Sequence, residues 1–84
     1  MKKEQHKVTV EIFGEMYSLK GDLQPEKVHK LATIIDLRMR KIAQANPRLT
    51  PAKVAVLAAL HVADEYLKLE QDYEQVLKIL KEGQ

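Results

Sequence analysis

The chain has no cysteine, no tryptophan, one phenylalanine, three tyrosines, three glycines and three prolines among 84 residues. Without cysteine there is no disulfide framework, no thiol nucleophile and no cysteine-ligated metal. The glycines, Gly14, Gly21 and Gly83, are too dispersed to form a phosphate-cradling loop. One Phe and three Tyr make a poor platform for stacking nucleic-acid bases. Charge of one sign is also lacking. Fourteen Lys and Arg against twelve Asp and Glu leave a formal charge of +2, with both signs on most segments, whereas a dedicated nucleic-acid binder concentrates a basic surplus. No apolar run approaches the ~20 residues that span a bilayer, and none follows the basic "MKKEQHK". The expectation is a soluble cytoplasmic protein, of one domain at most. A chain this short buries a modest fraction of its surface, so a second copy is a natural source of further core.

Catalytic constellations are missing as well. His6, His29 and His61 are isolated, with no spacing that sets two metal ligands on one helical face. His61 stands three and four residues before Asp64 and Glu65, a spacing that suits a local hydrogen-bonded pair. The carboxylates Asp64, Glu65, Glu70, Asp72 and Glu74 read as a solvated helix face, because paired catalytic acids need a cleft to separate and tune them. The expectation is therefore no enzyme, no cofactor and no metal.

What is present is pattern. In "VTVEIFGEMYSL", apolar Val8, Val10 and Ile12 alternate with polar neighbours, the period of a half-buried strand. A two-residue loop at Gly14 and Glu15 would set Ile12 opposite Tyr17 and Val10 opposite Leu19, with Val8, Val10, Ile12, Tyr17 and Leu19 on one apolar face that needs a cover. The hairpin is expected over about residues 7–20. Pro25 and Glu26 open a first helix, about 25–45, with Val28, Leu31, Ala32, Ile35, Met39 and Ile42 at helical spacing and Ile34 and Leu37 widening the stripe. Asn46-Pro47 interrupts it, and Thr50-Pro51 supplies a capping hydroxyl followed by proline at the first helical position.

From Pro51 to about Glu82 there is neither Gly nor Pro, which predicts one helix of roughly 45 Å. Ala55, Ala59, Val62, Tyr66, Leu69, Tyr73, Val76 and Leu80 follow a heptad seam expected to face a second copy. A second stripe, Val56, Leu60, Ala63 and Leu67, is expected to face the first helix or the hairpin. The fold class is thus α+β: an N-terminal hairpin and two helices, the second a coiled-coil former, in a dimer or tetramer. Arg38, Arg40, Lys41, Arg48 and Lys53 gather around the helix–helix connection. The plain reading has the first three complementing the C-terminal end of the first helix. Arg48 and Lys53 open the next helix, where its dipole disfavours them, so a partner-binding reading carries equal weight.

The order "VEIFGEMYSL", "VHKLATIIDLRMRKI" and "NPRLTPAKVAVLAALHVADEYLKLEQDYEQV" resembles the ZapA family of bacterial cell-division proteins over residues 8–80, in the compact form found in Gram-positive bacilli. The resemblance implies a head of hairpin and helices, a coiled-coil stem, and homodimers that pair into homotetramers. It also implies a non-enzymatic role at the midcell division site, binding and bundling or aligning filaments of the tubulin-like protein FtsZ to promote Z-ring assembly. In relatives, charged residues on the hairpin and around the connection are linked to filament binding. Here Glu15 and Ser18 occupy hairpin positions where relatives can carry Arg, which moves the expected contact to Arg40, Lys41, Arg48 and Lys53. The rival expectation is a dimeric adaptor that uses these cations on nucleic acid or another acidic surface.

Overall fold

The computed structural model describes residues 5–83. Two antiparallel strands, β1 (His6–Ile12) and β2 (Glu15–Gly21), are followed by helices α1 (Pro25–Ala45) and α2 (Pro51–Glu82). Proline opens both helices, where its missing N–H is one that the helix would leave unbonded anyway. Thr50 caps α2, its hydroxyl accepting the Lys53 N–H at 3.3 Å.

The hairpin register differs from the one expected. Val8 pairs with Leu19, Val10 with Tyr17 and Ile12 with Glu15, so the loop is Phe13 and Gly14, one residue earlier than Gly14 and Glu15. Both loop residues have positive φ, 52° at Phe13 and 82° at Gly14, the signature of the tight turn whose twist matches paired strands. Contacts with α1 and α2 place the loop here. The Phe13 N–H donates to Asp36 Oδ1 at 2.7 Å, and Phe13 packs on the buried cluster of Met39, Val54 and Ala58. The pairing changes by two residues, and an even change leaves every side chain on its original face. Val8 and Val10 are accordingly buried with Ala32 of α1.

The cover over the hairpin's apolar face is partial. Helix α1 packs on β1, while Tyr17 and Leu19 of β2 remain 42% and 44% exposed. Leu19 overhangs an apolar groove of about 360 Å³ that it shares with Leu23, Val28, Leu31 and Ile35.

The stripe of α2 expected to meet α1 does not. Val54, fully enclosed, and Ala58 make that contact with Met39, whereas Val56 and Leu60 are both 59% exposed. Each lies two residues beyond a buried one, about 200° around the helix, and so points away from α1. Arg38 of α1 closes the packed face about two turns further along α2 by gripping Glu65.

Candidate functional site

Each candidate cation takes its position from the elements just described. Helix α1 ends at Ala45 with no basic residue in its last turn. The field of a helix end fades within one turn, so Arg38, Arg40 and Lys41 are not there to neutralise it, contrary to the plain reading of the sequence. Two of them hold carboxylates instead. The Arg38 guanidinium straddles Glu65, Nη2 donating to Oε1 at 3.0 Å and Nη1 to Oε2. This two-pronged grip suits the planar fork of arginine, and it pins α2 against α1. It also holds the Glu65 carboxyl below the ordinary glutamate range.

Arg40 Nε donates to Asp36 Oδ2 at 3.0 Å, four residues back along α1. The Asp36 carboxyl lies below the ordinary aspartate range, chiefly because the Phe13 amide bonds its charged form and secondly because of Arg40. Successive residues point about 100° apart around a helix, and the structure places Lys41 on the other flank of α1. There it borders a groove with Ile34, Leu37, Arg38, His61 and Glu65. Arg48 is exposed in the turn between the helices, and Lys53 is exposed in the first turn of α2. The four expected partner-binding cations thus approach solvent from different sides of the head: Arg40 beside the hairpin tip, Lys41 over the α1–α2 groove, Arg48 and Lys53 at the connection.

The expected seam starts alongside the head at Ala59 and Val62 and runs on along the part of α2 beyond it. Leu69 is 68% exposed, and Tyr66, Tyr73, Val76 and Leu80 are exposed along with it; Ala59 is exposed and Val62 half-buried. Around them the helix is solvated in the ordinary way, with Asp64 and Lys68 paired at 3.1 Å and the Tyr66 hydroxyl donating to Glu70 Oε2 at 3.1 Å. Among the described residues, no group of three or more His, Asp or Glu is placed to hold a metal ion, and no helix is long and apolar enough to cross a membrane.

The sequence pattern missed Asp36, whose bond to Phe13 joins residues 23 apart in the chain. An aspartate followed four residues later by arginine reads as a routine helical pair, and nothing local marks the second bond. Val54 and Ala58 carry no such mark either, because Val56 and Leu60 form a more strongly apolar stripe on a different face of the same helix.

Comparison with known proteins gives a consistent result. The family profile described as "Cell division protein ZapA" matches residues 8–82. A protein of that name from Bacillus pumilus is 42% identical over 76 residues, covering 90% of this chain and 89% of its own length. Another from Geobacillus sp. strain WCH70 is 36% identical over 74 residues, covering 88% and 85%. Among solved structures, the ZapA mutant dimer from Geobacillus stearothermophilus superimposes with a TM-score of 0.73 at 32% identity, over 95% of this chain and 93% of that one.

Proposed function

Because the chain belongs to the ZapA family of cell division proteins, we propose that it is a non-enzymatic accessory factor that binds filaments of FtsZ and bundles or aligns them, promoting Z-ring assembly at midcell in the cytoplasm. The acting unit is a homo-oligomer, a dimer or a tetramer, whose copies meet through residues 59–80 of α2.

Surface carries the self-association part of this reading. The chain exposes 7446 Å², against about 5,100 Å² for a compact monomer of its mass. The excess, roughly 2,300 Å², is more than the ~800 Å² that each partner contributes to a standard stable interface. Much of it is apolar and lies on α2 and the outer side of α1: Leu31, Ile34, Leu37, Leu60, Leu69, Val76. The solved relative is itself described as a dimer, which supports the same conclusion.

Arg40, Lys41, Arg48 and Lys53 are the proposed filament contacts. One exposed charge pair contributes only about 0–1 kcal/mol, but an assembly repeats the set on each head, and every contact after the first forms at a raised effective concentration. Light scattering and cosedimentation of FtsZ filaments test the proposal. The parent should bundle them in a steeply salt-dependent way, Arg48→Glu should weaken bundling with the oligomer intact, and Leu69→Glu should abolish it by separating the copies. Filaments that both variants bundle as well as the parent, at low and moderate salt alike, would sink it.

A further inference from the structure

Asp36 bonds in two directions. Its Oδ1 accepts the Phe13 N–H at 2.7 Å and its Oδ2 accepts Arg40 Nε at 3.0 Å, so one carboxylate joins the hairpin loop to the middle of α1. On the loop side of this bridge Phe13 sits at φ 52°, in a region that side chains resist, and is held there by the amide bond and by its packing on Met39, Val54 and Ala58. The arginine side follows from what the loop leaves. A carboxylate with both oxygens available can take an arginine fork side-on through two parallel bonds. Here one oxygen is already committed to Phe13, and Asp36 grips Arg40 through the other alone. The bond is made at Nε, and the arginine side chain is half exposed, at 52%. A guanidinium has a second edge, formed by its two terminal amino groups, with the geometry to grip another carboxylate.

Building on the filament-binding reading above, we propose that Asp36 is the positioning residue for Arg40: the loop amide fixes the carboxylate, the carboxylate fixes Nε, and the outer edge of the guanidinium is presented beside the hairpin tip to one acidic side chain of the filament. Asp36 thus acts by orienting a cation. An acid that merely lowered the local positive charge would work against capture of an acidic partner, and the two roles predict opposite signs.

The test is cosedimentation with FtsZ filaments at low and moderate salt, with thermal unfolding measured alongside, for the parent and for Asp36→Asn, Arg40→Gln, Arg40→Lys and the double variant Asp36→Asn/Arg40→Gln. Asn keeps an oxygen for the Phe13 N–H but loses the ionic grip on Arg40, and it raises the formal charge by one. Asp36→Asn should raise the half-maximal concentration roughly three- to fivefold, the scale of one exposed charged contact, and should add nothing in the Arg40→Gln background. Arg40→Lys keeps the charge and leaves the Phe13–Asp36 bond in place, yet has no fork, so it should weaken binding like Arg40→Gln. Asp36→Asn binding as tightly as the parent or tighter, or Arg40→Lys binding like the parent, overturns the proposal while leaving the filament reading intact. Arg40→Gln binding like the parent overturns it as well. A parent that does not sediment with filaments at all overturns the filament reading, and the positioning role falls with it.

Discussion

Positive φ at Phe13 and Gly14 decides what the hairpin tip tolerates. Gly14 has open space where a Cβ would stand, so a substitution there is resisted by backbone conformation and by nothing else. Gly14→Ala should destabilise by about 1–2 kcal/mol, the cost of left-handed backbone for a residue with a Cβ, and Gly21→Ala, also in open space but without positive φ, should be near neutral. Urea unfolding of the two variants gives the comparison, and equal midpoints would show that the loop relaxes in solution. The carboxylates set a second residue-scale expectation. Asp36 titrates low because of the Phe13 amide and then Arg40, and Glu65 because of Arg38. A carboxyl whose folded pKa lies below its unfolded value stabilises the fold above the unfolded value and loses that contribution as pH falls through the folded one. Stability should therefore hold above about pH 5 and decline below about pH 4, with a shallower decline for Asp36→Asn. Melting temperatures from pH 7 to pH 3 check this, and parallel curves would mean that the Asp36 bonds do not persist. The turn at Gly14 was legible in the sequence, but the Asp36 bond was not, because a long-range bond from a backbone amide leaves no periodic trace.

The elements were far easier to read than their mutual fit. Period-2 alternation and the two proline starts marked a hairpin and two helices, since these signals arise within a few residues of one another. Register and facing depend on contacts across the chain. The loop moved by one residue because Phe13 is claimed by Asp36 and by the Met39 cluster, and α2 presented Val54 and Ala58 because small side chains let α1 approach closely. A stripe of bulky residues marks a surface that wants a partner without saying which one. The small interface has a consequence of its own. Met39, Val54 and Ala58 form one of only two buried clusters among the described residues, so Met39→Ala should cost about 2–5 kcal/mol, while Leu60→Ala in the isolated protomer should cost little. Thermal unfolding of both variants at a concentration where the protein is monomeric would decide it, and a Leu60→Ala loss as large as that of Met39→Ala would place Leu60 inside the protomer's core.

At the scale of the molecule, the radius of gyration is 17.4 Å, against about 12 Å for a compact chain of 84 residues. The extents, 52 × 45 × 15 Å, describe a rod set against a flat head. A protein whose core is completed by another copy gains stability with concentration. The parent's melting temperature should therefore rise as protein concentration rises, and that of Leu69→Glu should not. A parent midpoint that stays constant over a hundredfold dilution would exclude coupled assembly. The same rod is one helix of 32 residues with no break, and an unbroken helix is a ruler. Seven residues inserted beyond the head would lengthen it by about 10.5 Å and turn its outer part by only about 20°, keeping the apolar stripe on the same side. Five would turn it by about 140° and put the stripe out of phase with the head. Any pitch that paired rods impose on what their heads hold is thus written in whole heptads, and can be reset one heptad at a time.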